Sequence, residues 1–390
     1  MVLNEDQRAL QESARRFARE RLLPGYQPRD RHGVLERELV AEMGRLGFLG
    51  MDLPEALGGL GADAVTTGVV AEALAYGDFN VSAVPVGISL NGAILMRHAS
   101  EAVKREWVPR MCRGEAVVAI CLTEPRGGSD ASRLQLKARR VSGAGGADGD
   151  HYVLNGEKTS ITFSDRADAY LVFARTGAPE SGARGVSAFF IPYADGIGIS
   201  RTKFDDVGSA VIGRGSVFFD DVRVPASHRL GAEGEGFTQV MQGFDYSRAL
   251  IGLQCVGAAQ ASLDEAWAYA KEREAFGRPI GQFQGVSFPL AEYESHIAAV
   301  RQLCYHALQL RDAGLPHTAE AAMCKWMGPK TAFDTIHQCL LTFGHYGWSK
   351  DLPHQQRLRD VMGLEIGDGT AQVMKLIVAR ERIGRAAVQY

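Results

Sequence analysis

From the N-terminus to about residue 115 the apolar positions recur at helical spacing. Leu10, Ala14, Phe17 and Leu22 fall on one stripe, and Asn4 followed by Gln7 has the form of a capping box. Pro24 and Pro54 read as breaks between helices, and Glu55-Ala-Leu-Gly-Gly-Leu-Gly-Ala-Asp63 as a loop. From about 116 to 230 the period changes to that of strands. Short β-rich runs at Val117–Leu122, Tyr152–Asn155, Tyr170–Ala174, Val186–Pro192 and Val217–Val224 are separated by turn clusters such as Gly143 to Asp148. This spacing predicts an antiparallel barrel or sandwich and not a βαβ sheet. Helical spacing then returns over Phe237–Glu272, Phe283–Ala313, Ala319–Phe343 and Ala371–Val388, with Gly314-Leu-Pro-His317 as a loop, and helices of that length pack as an antiparallel bundle. The expected fold class is α+β, mostly α: a helical domain at 1–115, a β domain at 116–230 and a helical bundle at 231–390.

Composition narrows the classes of function. The 390 residues carry 43 Lys+Arg against 46 Asp+Glu, a formal charge of −3, so no global basic field is present to hold nucleic acid. Six cysteines (Cys112, Cys121, Cys255, Cys304, Cys324, Cys339) show neither Cys-x-x-Cys pairing nor zinc-finger spacing and read as buried thiols of a reducing cytoplasm. The acidic start, Met1 to Leu10, lacks the charged-then-apolar plan of a secretion signal, so a cytoplasmic location is expected. The weakly polar stretch Val81 to Met96 is interrupted by Ser82, Pro85, Gly87, Ser89, Asn91 and Gly92, and no membrane span is expected.

Several familiar sites can be set aside. The chain has no Gly-x-Ser-x-Gly elbow, no Gly-x-x-x-x-Gly-Lys-Ser/Thr phosphate loop and no His-Glu-x-x-His helix, and its ten histidines form no ligand-spaced pair, so no metal is expected. Gly59-Leu-Gly61-Ala-Asp-Ala64 fits Gly-x-Gly-x-x-Ala but follows a helical segment where a dinucleotide site needs a strand. Leu122-Thr-Glu-Pro-Arg-Gly-Gly-Ser-Asp130 is different: hydroxyls, an acid and two glycines directly follow a strand. Such a segment is either a plain turn or a receptor for a phosphate or the polar edge of a heterocycle.

Seven segments in order carry a resemblance. They are Leu53 to Gly61, Leu122 to Asp130, Leu154-Asn-Gly-Glu-Lys-Thr-Ser-Ile-Thr162, Phe219-Asp-Asp-Val-Arg-Val-Pro225, Leu230-Gly-Ala-Glu-Gly-Glu-Gly-Phe237, Arg273-Glu-Ala-Phe-Gly-Arg-Pro-Ile280 with Gln284, and Arg359-Asp-Val followed by Gly367-Asp-Gly-Thr-Ala-Gln372. Through them the chain resembles the acyl-CoA dehydrogenase family of flavoproteins along nearly its whole length. The resemblance implies the same three layers, the last a four-helix bundle, with FAD between them. It also implies a homodimer or homotetramer, since members hold FAD partly through a neighbouring subunit, and an electron acceptor such as an electron-transfer flavoprotein.

The resemblance assigns Leu122, Thr123 and Thr162 to the flavin ring and Ser129 to the pyrophosphate. It assigns Arg273, Phe276 and Gln284 to the adenosine-diphosphate half, and Thr370 and Gln372 to further cofactor contacts. Arg248 matches the arginine near the substrate's CoA moiety, a role compatible with an intrahelical pair to Asp245. The family reaction removes the proton next to a thioester carbonyl while the neighbouring carbon delivers hydride to flavin, forming a 2,3-double bond. Asp368 stands where most members have the glutamate base, one methylene shorter, and Ser247 stands where a subgroup has a substitute glutamate. Asp368 otherwise reads as a turn-forming Asp-Gly.

Other departures are Gly367 for a tyrosine, Ser160 for a tryptophan beside the flavin, and Leu341 and His345 for a Gln and a Gly that help hold FAD. The expected activity is that of an FAD-dependent acyl-CoA dehydrogenase acting on a branched or alicyclic acyl group. A nitroalkane-oxidase-like flavin oxidase, which also uses an aspartate base, and a flavin-bearing binding protein without turnover are the alternatives.

Overall fold

The computed structural model describes residues 1–143 and 149–384. Helix α1 (Glu5–Phe17) starts at the expected capping box: the Gln7 N–H donates to Asn4 Oδ1 at 2.8 Å and the Asn4 N–H to Gln7 Oε1 at 3.2 Å. Pro24 does not end the helical path as expected. One π turn (Ala18–Leu22) and one 3₁₀ turn (Leu23–Gly25) absorb its missing N–H, and the chain runs on into α2 (Tyr26–His32). After α3 (Arg37–Arg45) come α4 (Ala64–Gly77), capped by Asp63, then α5 (Ala83–His98) and α6 (Glu101–Cys112). Helix α4 is buried on nearly every side, as its lack of a polar face requires.

The middle strands are β1 (Val118–Cys121), β2 (Lys137–Val141), β3 (His151–Thr162), β4 (Ala169–Arg175), β5 (Val186–Pro192), β6 (Ile199–Arg201), β7 (Arg214–Pro225) and β8 (Arg229–Leu230). They form one sheet in the order β6-β7-β3-β2-β4-β5-β8, with β1 beside β4. The antiparallel barrel or sandwich expected of this segment is realised as a largely antiparallel sheet with two parallel pairings. β1 runs parallel to β4 (Val118↔Ala169 to Cys121↔Val172), and β2 meets β4 in parallel at Lys137↔Arg175. A parallel pair needs a long crossover, which the chain between β1 and β4 supplies by carrying β2 and β3. The turn expected at 143–148 lies largely outside the described residues, as does the helix predicted beyond residue 384.

The C-terminal part holds α7 (Gly236–Glu272), the hairpin β9 (Glu274–Ala275) and β10 (Arg278–Pro279), then α8 (Gln284–Asp312), α9 (Thr318–Thr342), α10 (His354–Ile366) and α11 (Ala371–Ile383). Helices α7 and α9 approach closely at a glycine pair: a Cβ on Gly328 would lie 2.8 Å from Gly252 Cα. Helix α10 escapes prediction because its inward residues, Val361 apart, are polar. His354, Gln356, Arg357 and Asp360 are buried, with Arg357 donating to Glu265 at 2.7 and 2.8 Å. All six cysteines are free and buried. No helix among the described residues is long and apolar enough to cross a membrane.

Candidate functional site

Two buried charges shape the loop after β1. Lys158, fully buried on β3, donates to the Leu122 carbonyl at 3.0 Å and to Glu124 Oε1 at 2.8 Å. Glu124 in turn accepts from the Gln135 and Leu136 N–H groups at 2.6 and 2.8 Å. Burial pulls the Lys158 ammonium below its usual range, and Glu124 opposes that shift. The Thr159 N–H donates to the Thr123 carbonyl at 2.9 Å, so the loop and β3 are stitched together where both candidate flavin hydroxyls, Thr123 and Thr162, reside. Leu122 is buried under the loop, Thr123 and Thr162 are half-buried, and Ser129 is exposed further out.

The end of β3 is distorted at the same place. Its register against β7 shifts between Lys158 and Ile161, and Ser160 (φ 56°) and Phe163 (φ 61°) adopt left-handed backbone that non-glycine residues seldom visit. Such strain gathers at sites that must aim side chains. Ser160, on the bulge, is exposed. Among the described residues neither the Thr123 nor the Thr162 hydroxyl has a hydrogen-bond partner in the chain, which suits a ligand with a polar heterocyclic edge.

A second cluster surrounds the link between α10 and α11. Thr370 caps α11, accepting from the Val373 N–H at 3.3 Å, and Gln372 is exposed in the first turn. Asp368 (φ 54°) and Gly369 (φ 106°) make a left-handed turn, so the turn-forming role is present. The Asp368 carboxyl is nonetheless no ordinary turn group. Burial pushes it above the usual carboxylate range, while Lys325 and Arg248 oppose the shift. Arg248, buried on α7, donates to Asp245 Oδ1 at 3.1 Å, as the sequence suggested; its Nη2 lies 4.0 Å from where a Gly369 Cβ would stand, and its Nε has no partner. Lys325, fully buried on α9, donates to the carbonyls of Leu364 at 2.5 Å and Gly369 at 2.9 Å. Sequence reading missed Lys325, Lys158 and Glu124. Their spacing gives no signal, because their burial depends on partners from remote elements.

The third set stands apart. Arg273 ends α7, and Phe276 sits at the tip of the β9–β10 hairpin, 96% exposed with φ 51°, its ring 6.0 Å from that of Phe283. Gln284 opens α8 and is exposed. Arg248 and Arg273 lie 25 residues apart on and just beyond one continuous helix, roughly 37 Å along its axis. The two arginines therefore sit in separate regions of the molecule. A naked aromatic face, a forked cation and an amide on a strained hairpin suit a planar base with a phosphate. Leu341, Tyr346 and Trp348, in and after the end of α9, are also exposed apolar side chains, and His345 is exposed beside them. A cavity of about 380 Å³, lined by residues such as Arg15, Glu72, Tyr76, Asp264, Arg301 and Tyr305, lies elsewhere and shares no residue with these clusters.

The chain matches known proteins along nearly its whole length. Residues 4–115, 119–222 and 234–383 match the N-terminal, middle and C-terminal domains of acyl-CoA dehydrogenase. A probable acyl-CoA dehydrogenase of Bacillus subtilis (strain 168) is 34% identical, covering 97% of this chain and 98% of its own. Among solved structures, butyryl-CoA dehydrogenase from Megasphaera elsdenii superposes with a TM-score of 0.92 at 32% identity over 98% of this chain and 99% of its own. A glutaryl-CoA dehydrogenase from Mycobacterium smegmatis in complex with FADH2 gives 0.91 at 27% identity, covering 99% and 97%.

Proposed function

The chain belongs to the acyl-CoA dehydrogenase family and is an FAD-dependent oxidoreductase, and on that premise we propose that Asp368 is the base that removes the proton α to the thioester carbonyl of a branched or alicyclic acyl-CoA. The observation that carries the reading is the place of the Asp368 carboxyl: half-buried on a left-handed turn between two helices, next to Gly369, whose carbonyl accepts from the buried Lys325 at 2.9 Å, with burial pushing the carboxyl up and Lys325 and Arg248 opposing that shift. Desolvation strengthens a carboxylate as a base, and nearby positive charge keeps it ionised.

Bound FAD supplies the acceptor for the β-hydride. The chain's part is to seat the flavin against Leu122, Thr123 and Thr162 and its phosphates against Ser129, with Thr370 and Gln372 beside the base. Arg273, Phe276 and Gln284 hold the adenosine-diphosphate half in the neighbouring protomer, which makes the working unit a homodimer or homotetramer. Arg248 receives the CoA-bearing part of the substrate, Asp245 fixing its guanidinium.

The preference for a bulky acyl group rests on Gly367. Its φ of −61° is open to any residue, so backbone geometry does not demand glycine there. A Cβ would meet only Gly363 O at 3.4 Å and Leu364 Cδ2 at 3.8 Å, so the missing side chain leaves room beside the base. An electron-transfer flavoprotein in the cytoplasm takes the electrons onward, and 1–115, 116–230 and 231–390 act as the three structural units.

Anaerobic titration with a panel of acyl-CoAs, watching the flavin bleach, tests the reading. Branched or cyclic thioesters should bleach the flavin fastest. Asp368→Asn preserves size and the turn but cannot accept a proton, so flavin reduction should fall by the ~10²–10⁴ typical of a lost general base while FAD and substrate still bind. Reduction at the wild-type rate in that variant would overturn the assignment.

A further inference from the structure

We propose that Lys325 is a positioning residue for the reaction, its ammonium clamping the turn that carries Asp368 and supplying the positive charge that keeps that carboxylate ionised; the inference rests on Asp368 being the base.

The geometry has two parts. The Lys325 ammonium bridges the Leu364 carbonyl, in the last turn of α10, and the Gly369 carbonyl, directly after Asp368. These acceptors bracket the link from residue 365 to 368, so one cation on α9 fixes both ends of the segment that bears the carboxyl. The segment needs fixing, because Asp368 and Gly369 both hold left-handed backbone and no regular structure spans them. Lysine is buried here at full cost of desolvation, which lowers its affinity for a proton, and two backbone acceptors plus the Asp368 field offset that cost.

The second part is charge. Around Asp368, α9 contributes Lys325 and α7 contributes Arg248, whose own charge is engaged by Asp245. The same α7 places the Cys255 thiol near Lys325, α10 brings Glu365 within its field, and α11 brings Arg380 toward Arg248. Lys325 has no direct ion pair among the described residues, so it is the cation whose charge remains available to the base. Removing it leaves a desolvated carboxylate with one committed partner, and the carboxyl then holds its proton to higher pH.

The test compares Lys325→Met and Lys325→Arg with wild type as FAD-loaded enzyme. Single-turnover flavin reduction is followed across pH, and the Asp368 carboxyl is titrated by infrared difference against Asp368→Asn. Lys325→Met should move the acid limb of reduction and the carboxyl titration upward together, by about one pH unit or more, a tenfold loss of ionised base on the limb. Lys325→Arg keeps the charge but not the two-carbonyl geometry, so its limb should stay within about half a unit while the plateau rate falls.

An unmoved limb and titration in yellow Lys325→Met enzyme overturn the inference. If Lys325→Met does not fold, a Lys325→Arg limb displaced by a full unit overturns it, and an undisplaced limb with a lower plateau supports it. The infrared titration separates the two readings. Full activity in Asp368→Asn removes the base, whereas an inactive Asp368→Asn beside an unshifted Lys325→Met carboxyl removes only Lys325.

Discussion

Replacing Asp360 by asparagine should make the melting temperature of the holoenzyme less sensitive to pH. Asp360 is buried on α10, where Oδ2 accepts from the Tyr26 hydroxyl at 2.6 Å and from Asn80 Nδ2 at 2.9 Å, and Oδ1 accepts from the Ser209 N–H at 2.6 Å. One carboxyl thus ties α10 to α2, to the link between α4 and α5, and to the loop before β7. Burial, with Asp30 and Asp78 nearby, pushes it up to about 7 from an ordinary 3.8, against the lowering effect of its hydrogen bonds. The folded state therefore keeps a proton that the unfolded chain has released. Stability from this group is complete below about pH 4 and is lost as pH rises through about 7.

About three units at 1.36 kcal/mol each give roughly 4 kcal/mol, and at ~0.8 kcal/mol/K for a chain this size that is about 5 °C. Asparagine has no charge to lose, and Asn80 can turn its unpartnered Oδ1 toward the new amide. The variant-minus-wild-type melting temperature should thus grow by about 5 °C between pH 4 and pH 8, at one scan rate and saturating FAD. A constant difference across that range would refute the reasoning.

Two further outcomes follow from the site. Lys158→Met strands Glu124 as an unpaired buried charge, so it should cost ~3–5 kcal/mol and loosen the Thr123 loop, seen as a lower melting temperature and FAD lost on gel filtration; FAD retained as in wild type argues against the loop's role. Co-refolding Arg273→Ala with Asp368→Asn, each inactive alone, should restore activity in hybrid oligomers, because one of the two mixed sites then has both residues intact. A mixture no more active than its components would place Arg273 and Asp368 in the same protomer's site.

Much of this molecule was legible in one dimension because the physics behind it is local. The capping box at Asn4 and Gln7, the helical stripe of α1, the long apolar faces of α7 to α9 and the β period of the middle segment each depend on neighbours within a few residues, and each formed as read. Pro24 and the pairing of β1 with β4 departed from expectation because a helix can change its winding and a strand can choose a distant partner, and neither choice is written in local spacing. The ordered motif segments identified the family and pointed to Asp368 and Arg248.

Sequence alone determined the three layers, the family and the chemical types available to the site. Only the tertiary structure decided which charges enter the interior. Lys325, Lys158, Glu124 and Asp360 interrupt apolar patterns or sit among polar residues, so nothing in their spacing distinguishes them from solvated side chains. Folding places each where carbonyls, N–H groups and opposite charges from remote elements replace the water it gives up, and that replacement is three-dimensional. It likewise took the uninterrupted length of α7 to show how far apart Arg248 and Arg273 lie, since residue types fix what a side chain can bind while distance fixes with whom it binds it.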